Sequence, residues 1–480
     1  MAIPTQLKLL SKEEISRIYD RVLQFLSTKG VRVEHSQALK ILDKAGVPVD
    51  YANQQVKFPR DIIEEALRTV PRTIKLSGSG KDRNEVVPHP EGLFYVWSST
   101  GCRLQVEPAT NVYRTVTSAD MGEWGQLIEI LDNIDHGAFL TPDDVPGETE
   151  DIHSMKILLE NSSKHINVQP HSFESIPYLI ELAQAVVDEP LKDRPVLHIF
   201  SGSVAPYLFK AMDVEIILQC ASHGIPVEAQ SLTCMGATTP VTIAGNLIVG
   251  NIEILAQLVM SQLFKPGTPV LSSSAGGSTL DMATGRSRSQ GVESLLSAVA
   301  GIQFSKEIFH TPVYKSGLGS DSCVPDGQAM MDVALRGLLV ALAGNDVFGL
   351  AGRLYSAKAI SYIQLILDDM LAGMLKRILK GVEVDEEQMA WQDILDTKPG
   401  GHFLETAHTL KHCRDALRLD LLITDQACED WTPDAGKDLT ARAVDRYQEL
   451  KKTMKPLELS KEVRNELNRI VKQADKHLVK

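Results

Sequence analysis

The feature that most constrains the fold is a repeated alternation of short apolar runs with helical patterns between residues 118 and 380. Each apolar run has the length of a buried strand, and each is followed by a segment with helical periodicity. Strands that alternate with helices in this way build a parallel sheet, either closed or open. Seven runs are predicted strands: residues 136–141, 165–169, 196–201, 226–230, 269–273, 312–316 and 347–350.

An eighth strand is available at residues 93–98, ahead of the helical segment 118–134. An open sheet would bind its ligand where the strand order reverses, and no GxGxxG fingerprint follows the first strand. We therefore predict an α/β fold, a (β/α)8 TIM barrel. In that fold the carboxyl ends of the strands and the loops after them build the active site.

Additional segments flank the predicted barrel. Residues 1–72 carry three helical patterns and are predicted to form an N-terminal helical cap. Residues 73–117 alternate with period two and predict a β-hairpin excursion. Residues 118–380 are the barrel body, to which residues 93–98 are a candidate addition. Residues 381–480 are charged and helical, which predicts a C-terminal helical domain or an arm for homo-oligomerisation.

Charge and composition exclude several classes of protein. The chain has 49 Lys and Arg against 62 Asp and Glu, a net charge of −13, and no basic run, which argues against nucleic acid as a partner. Charged or amide side chains interrupt both long apolar stretches, residues 245–260 and 335–352, so neither is predicted to span a membrane. No signal-peptide pattern opens the sequence, and the six cysteines form no CxxC pair, which predicts a cytoplasmic protein without a zinc ribbon.

The densest polar segment is the loop after the strand at 312–316, which we predict to be part of the site. Gly317 allows a close approach of backbone and ligand, while Ser320 and Asp321 supply acceptors. Asp326 either joins this site or caps the helix that follows it.

Lys315, at the end of the same strand, gives a different enzyme class. A lysine at a barrel strand end can form a Schiff base, which would make the chain a lyase or aldolase. Alternatively, Lys315 points outward between the helices.

Aromatic residues make up only 5% of the chain, yet several fall at predicted strand ends. Aromatic faces near a carboxylate suit a methylated ammonium, because the ring quadrupole attracts a cation that cannot donate a conventional hydrogen bond. Others of these rings are expected to pack in the barrel. The rings we assign to the site are Tyr95, Trp97, His171, Tyr314, Phe348 and Tyr355.

Two pairs of polar residues have alternative interpretations. Glu228 and Gln230 share one face of their strand, so they either meet a ligand in the barrel lumen or lie solvated at an edge. His408 and His412 share one face of a helix at i, i+4 spacing, which can bind zinc. The sequence around them lacks the metalloprotease pattern, so we predict a packed or hydrogen-bonded pair and no metal site.

The segments DSCVPDGQA at 321–329 and ETAHTLKH at 405–412, with the order of elements over the whole chain, resemble the trimethylamine methyltransferase family. The resemblance is to the branch without pyrrolysine, whose best-known activity is glycine betaine:corrinoid methyltransferase. It implies a barrel enzyme that moves a methyl group from a methylamine to Co(I) of a cobalamin. That corrinoid cofactor would be carried by a separate corrinoid protein, the expected partner.

Family members that act on trimethylamine carry pyrrolysine, whereas this chain consists of standard residues. The resemblance therefore implies a quaternary amine as the donor, with the region around Ser320–Cys323 in the place of pyrrolysine. A quaternary nitrogen already carries its fourth bond, so its neutral leaving group needs no general acid. The carboxylate of a betaine would need donors, for which Gln230, His171, Arg353 and the amides of Ser316–Ser320 are candidates. A methylamine-binding protein without turnover is the third alternative.

Overall fold

The computed structural model describes residues 7–414, 416–418, 420, 422–423 and 436–480. Eight parallel strands close into a barrel in which each strand pairs with its neighbours in sequence and the last pairs with the first. The predicted (β/α)8 barrel is confirmed, and residues 93–98 supply its first strand. The barrel strands are β1 (Tyr95–Ser98), β2 (His136–Ala138), β3 (His165–Val168), β4 (Leu197–Ser203), β5 (Val227–Ser231), β6 (Val270–Ser273), β7 (Val313–Ser316) and β8 (Val347–Ala351).

Three N-terminal helices cover one side of the barrel: α1 (Lys12–Thr28), α2 (Ser36–Lys44) and α3 (Arg60–Thr69). A capping box fixes the start of α1, because Ser11 Oγ accepts from the amide of Glu14 and Glu14 Oε2 accepts from the amide of Ser11. A small sheet accompanies these helices and contains Val31–Val33, Val49–Asp50, Gln55–Val56 and Leu208–Phe209.

Eight helices follow the barrel strands in turn. They are α4 (Ser118–Ile130), α5 (Glu150–Asn161), α6 (Ile176–Gln184), α7 (Ala211–His223), α8 (Ile243–Phe264), α9 (Val292–Phe304), α10 (Gly327–Leu342) and α11 (Tyr362–Leu379). By length and composition α8 resembles a membrane span, yet 78% of its apolar window is buried inside the protein. Helix α8 is apolar on all faces because it lies between the barrel and α1–α3.

The predicted hairpin region, residues 73–117, divides into three parts. Ile74–Ser77 and Asn84–Val87 form a hairpin whose apolar residues close the N-terminal end of the barrel. Strand β1 follows. Leu104–Val106 and Tyr113–Thr115 then form a second hairpin, which joins Arg353–Leu354 and Ala359–Ile360 in a sheet. The chain crosses the barrel through β1, so the two hairpins belong to different ends of it.

A short sheet of Cys234–Met235, Ser278–Leu280 and Ser287–Arg288 comes from the loops after β5 and β6. The loop after β7 leads to α10, whose first turn is capped by Asp326 Oδ1, the acceptor for the amide of Ala329 at 2.9 Å. The sequence allowed two roles for Asp326, and the structure shows that it caps the helix.

The C-terminal segment contains α12 (Trp391–Asp396), α13 (Ala407–His412), α14 (Leu439–Lys451) and α15 (Lys461–Leu478). Helix α14 packs on α11 and α15 packs on α5 and α6. On α13 the rings of His408 and His412 pack 4.4 Å apart, and His412 bonds Glu387 at 3.0 Å. The predictions for residues 1–6, 415, 419, 421 and 424–435 lie outside the described residues.

Candidate functional site

A cavity of about 800 Å³ opens at the carboxyl ends of the barrel strands, where the fold predicts the site. Its floor is made by side chains that alternate inward along the strands. Register places Asn167 of β3 beside His198 of β4, and Phe200 of β4 beside Glu228 of β5. The floor includes Trp97, Asn167, Glu228, Gln230 and Tyr314.

Two aromatic rings form one side of this floor. The ring centroids of Trp97 and Tyr314 lie 4.1 Å apart, and Trp97 also stacks on His198 at 5.0 Å. Gly349 of β8 faces both rings, and a Cβ at that position would come within 2.5 Å of Tyr314 Oη. The absence of a side chain at Gly349 therefore makes room for both rings.

Glu228 is fully buried in the floor. Its carboxyl group accepts from Asn167 Nδ2 at 3.0 Å and from Gln230 Nε2. Within the described ranges, His198 Nε2 at 3.5 Å is the only basic nitrogen within 4.0 Å of it. Burial raises the pKa of Glu228 to about 8, because nothing cationic replaces the water that a carboxylate loses.

A chain of hydrogen bonds runs from Glu228 to the hairpin below the barrel. His165 Nδ1 lies 2.9 Å from the carbonyl of Ser77, and His165 Nε2 lies 2.8 Å from His198 Nδ1. His198 Nε2 in turn lies 2.8 Å from Asn167 Nδ2. Since a carbonyl only accepts, His165 donates to Ser77, His198 donates to His165, and His198 Nε2 accepts from Asn167.

Burial is also the main cause that lowers the pKa of both histidines well below its usual value, with neighbouring imidazoles adding to it. Both rings are therefore neutral at pH 7, in the tautomers that the chain of bonds requires.

Another part of the cavity lining is cationic. Lys315 Nζ donates to the carbonyl of Gly276, and Arg336 Nε donates to Gln290 Oε1 at 2.8 Å. Arg353 Nε is buried with no hydrogen-bond partner among the residues that the structure describes. In the part of the chain that the structure describes, none of these three cations lies within 4.0 Å of a carboxylate, so this side of the cavity can accept an anion.

The neighbouring positive charges contribute to the lowered pKa values of Lys315 and Arg336. Burial, followed by repulsion from Arg336 and Arg353, lowers the pKa of Lys315 to about 7. Burial, followed by repulsion from Arg353, lowers the pKa of Arg336 to about 10. An anionic ligand would relieve both repulsions.

At the cavity wall His171 is already engaged. Its Nδ1 lies 2.8 Å from Glu150 Oε1, to which Arg103 also donates at 2.8 Å. His171 therefore presents its remaining nitrogen and ring face to a ligand.

Half of the predicted site residues line the cavity: Trp97, His171, Glu228, Gln230, Tyr314 and Arg353. Glu228 and Gln230 face the lumen rather than a solvated edge. Lys315 also lines the cavity, so it does not point between the helices.

Two of the predicted aromatic contacts need correction. Tyr95 faces the barrel lumen, but it precedes Trp97 by two residues and therefore lies deeper in the barrel. Its ring packs 5.8 Å from that of His136, away from the cavity. Phe348 faces the opposite side of β8 and stacks on Phe94 at 3.8 Å outside the barrel.

The predicted loop residues are also not in the cavity lining. A Cβ on Gly317 would overlap the ring of Phe348, so Gly317 serves close packing. Ser320 Oγ donates to Asp332 Oδ2 at 2.6 Å, and Asp321 Oδ2 accepts the amide of Ser289 at 2.9 Å. These polar groups hold neighbouring loops together.

Tyr355 also lies away from the cavity lining, and its side chain contacts the hairpin formed by Leu104–Val106 and Tyr113–Thr115. It is 37% exposed, and its ring meets Tyr113 edge-on at 5.8 Å. Residues 320–323, assigned to the place of pyrrolysine, contribute nothing to the cavity lining either.

Sequence reasoning missed three residues that define the site. Asn167 and His198 occupy inward positions, which alternate with outward positions along their strands. The same period of two that grouped Glu228 with Gln230 would have predicted them. Arg336 reaches the cavity from α10, and no local pattern marks it.

The chain is similar to known proteins over nearly its whole length. A family model described as trimethylamine methyltransferase (MTTB) matches residues 2–478. The chain is 28% identical to trimethylamine methyltransferase MttB of Desulfitobacterium hafniense, over 97% of this chain and 93% of that protein. It is 26% identical to a glycine betaine methyltransferase of Desulfitobacterium hafniense, over 98% of each chain.

A solved structure shares the fold. The monomethylamine methyltransferase MtmB of Methanosarcina barkeri superposes with a TM-score of 0.50 at 12% identity, over 97% of each chain.

Proposed function

The chain belongs to the trimethylamine methyltransferase family and is a methyltransferase, and we propose that it takes a methyl group from a quaternary amine. Glycine betaine or a related betaine is the proposed donor. The proposed acceptor is the Co(I) corrinoid of a partner protein. The observation that carries the proposal is the pair of rings, Trp97 and Tyr314, beside the buried carboxyl group of Glu228.

This chemistry explains what the floor contains. A trialkylated nitrogen donates no hydrogen bond, so aromatic faces and a carboxylate are the groups that can bind it. Trp97 and Tyr314 pack against each other at an angle of 34°, so a ligand meets the outer surface of the pair, which is a wall rather than a closed cage. An open wall suits the reaction, because tight binding of the cation would oppose the loss of its charge in the transition state.

The bonds broken and formed in the methyl transfer balance without the gain or loss of a proton. The carbon–nitrogen bond breaks with its electron pair going to nitrogen, and the new carbon–cobalt bond takes its pair from Co(I). The corrinoid supplies the nucleophile. The polypeptide therefore has to bind the cation, exclude water and aim one methyl group at the open mouth of the barrel.

The cationic side of the cavity supports a donor with a carboxylate. Arg353, Lys315 and Arg336 share the lining, and none of them pairs with a carboxylate among the described residues. A betaine oriented with its ammonium on Trp97 and its carboxylate at Arg353 would satisfy both sides of the site.

The experiment that tests the proposal is spectroscopic. The protein is mixed with Co(I) cobalamin and with glycine betaine, carnitine, choline or trimethylamine, and formation of methylated cobalamin is followed by its absorbance. We expect methyl transfer from a quaternary donor. If folded protein methylates no cobalamin with any of them but binds a donor calorimetrically, the chain is a binding protein instead.

Trp97→Ala should weaken the use of a quaternary donor by about 1–2 kcal/mol, roughly a 5- to 30-fold rise in KM. The cause is the loss of the ring that packs against Tyr314, while Tyr314 itself remains at the wall. Steady-state kinetics with glycine betaine measure the change, and Trp97→Phe, which retains a ring, is the matched control. Wild-type KM for Trp97→Ala would remove this residue from the site.

A second candidate function is supported by Lys315. Its amine lines the cavity, and burial lowers its pKa to about 7, so a neutral nucleophile is available at pH 7 and above. A lysine-dependent lyase or aldolase would use that amine. Borohydride trapping with carbonyl substrates decides between the two functions: we expect no adduct at Lys315, and an adduct would favour the lyase.

We also propose that the protein works in the cytoplasm as a homo-oligomer. Large apolar side chains remain exposed in residues 382–414, among them Val382 (88% exposed), Leu404 (79%) and Leu410 (80%). Exposed apolar clusters of this kind mark interaction surfaces. A monomeric mass in sedimentation at micromolar concentration would contradict the oligomer.

A further inference from the structure

We propose that Glu228 is neutral in the empty site and ionises when the donor binds, so that each binding event releases a proton. The released proton returns once methyl transfer has removed the charge from the amine. This inference rests on the proposed function, because it requires a cationic donor on the floor of the cavity. It assigns Glu228 as a charge-compensating residue for a permanent cation.

The empty site gives Glu228 no reason to carry a charge. It is fully buried, and burial raises its pKa to about 8. The groups that face it are neutral: Asn167 from β3, His198 from β4, Gln230 from its own strand and Tyr314 from β7. The cationic groups of the lining are Arg103, Lys315, Arg336 and Arg353, and none of them lies within 4.0 Å of Glu228 in the described chain.

The same surroundings are prepared for the ionised form. The histidine chain forces the amino group of Asn167, not its carbonyl oxygen, toward Glu228, because His198 Nε2 accepts one of its two hydrogens at 2.8 Å. The other hydrogen points to Glu228 Oε2 at 3.0 Å, and Gln230 Nε2 donates to Oε1. Both carboxyl oxygens thus meet donors, which favours the carboxylate as soon as a cation is present.

The consequence is a charge cycle. The empty floor is neutral, the donor complex contains an ammonium and a carboxylate, and the product complex contains a neutral amine. A carboxylate beside a neutral amine has lost its counter-ion, so Glu228 takes up a proton and the site returns to its initial state. The net reaction consumes and produces no proton.

Proton release is measured by titration calorimetry at pH 7 in phosphate and in Tris, whose ionisation enthalpies differ. Tetramethylammonium is the first probe, because it has no carboxylate that could change the protonation of Lys315. With a pKa of about 8, Glu228 is about nine-tenths protonated at pH 7, so we expect about 0.9 proton released per site.

Glycine betaine is compared with 3,3-dimethylbutanoate, which has the same shape and carboxylate but carbon in place of the charged nitrogen. Both ligands bring a carboxylate to Lys315, so any proton that Lys315 takes up is common to both. The difference between them, expected to be about 0.9 proton, belongs to the ammonium charge and Glu228.

The pH dependence has a definite sign. Only the ionised form of Glu228 compensates the cation, so affinity for tetramethylammonium should fall about tenfold from pH 7 to pH 6 and level off above pH 8. Glu228→Gln keeps the shape of the protonated residue and should show weaker binding, no proton release and no pH dependence in this range. Unfolding monitored by circular dichroism confirms that the variant is folded.

The outcomes separate the inference from the proposed function. Binding of tetramethylammonium to wild-type protein with the same enthalpy in both buffers would overturn the inference and leave the methyl transfer intact. Proton release that persists in Glu228→Gln would also overturn it, because another group would then be the source. If no quaternary cation binds, the proposed function fails and the inference fails with it.

Discussion

Gly349→Ala is expected to lower kcat/KM for a quaternary donor by about 100-fold, although Gly349 itself touches no ligand. A Cβ at this position would come within 2.5 Å of Tyr314 Oη and closer still to Trp97 Nε1. Real Cβ atoms do not approach so closely, so both rings must move. A displacement of about 1 Å at a reacting centre can cost on the order of 10²-fold in rate.

The measurement is steady-state methyl transfer together with near-ultraviolet circular dichroism, which reports the packing of the two rings. Thermal unfolding should show a loss of about 1–3 kcal/mol from overpacking. Gly147→Ala is the matched control, because a Cβ at Gly147 meets nothing within 4 Å. Wild-type kinetics for Gly349→Ala would contradict the assignment of the aromatic wall.

Arg353→Ala is expected to lower kcat/KM for glycine betaine by roughly 30- to 1000-fold, or about 2–4 kcal/mol, as loss of one partner of a buried charge pair does. Arg353 lines the cavity, and among the described residues no carboxylate lies within 4.0 Å of it, so a ligand carboxylate would be its counter-ion. Choline has the same ammonium and no carboxylate, and its use should change little. The ratio of kcat/KM for the two donors is therefore the measured quantity.

Arg288→Ala is the control for a general loss of positive charge near the site. Its side chain is 66% exposed and pairs with Asp281 at 2.7 Å, outside the cavity lining, so both donors should be used as by the wild type. An equal loss for glycine betaine and choline in Arg353→Ala would show that Arg353 supports the fold and does not bind a carboxylate.

The barrel could be predicted from sequence because buried parallel strands are short apolar runs between loops and helices. The period of two predicted that Glu228 and Gln230 share one face of their strand, and the structure decides that this face is the lumen. Phe348 shows the limit of that reasoning. It lies one residue from an inward position, and a shift of one residue transfers a side chain to the other face of the strand.

The polar loop after β7 was misassigned for a different reason. Ser320 and Asp321 are acceptors in a loop at the catalytic face, as site residues would be. Their partners, Asp332 and the amide of Ser289, come from other parts of the chain and occupy them. Arg336 was missed because a long side chain reaches the cavity from α10, and only tertiary structure shows its direction.

The direction of the Lys315 side chain also depends on tertiary structure. Its position beside Tyr314 on β7 left its direction open, whereas the structure turns Nζ toward the carbonyl of Gly276 in the loop after β6. Together with Arg353 it gives the cavity a cationic side that the overall charge of −13 does not suggest. Local charge in a cavity depends on which residues the fold brings together.

The most direct measurement compares glycine betaine with N,N-dimethylglycine as donors to Co(I) cobalamin, from pH 6 to pH 9. The two molecules share a carboxylate, and they differ in whether the nitrogen is permanently charged. We expect methylated cobalamin from glycine betaine at every pH and none from dimethylglycine. Methyl transfer from dimethylglycine alone would contradict the claim that the donor arrives already activated and that the protein only binds and aims it.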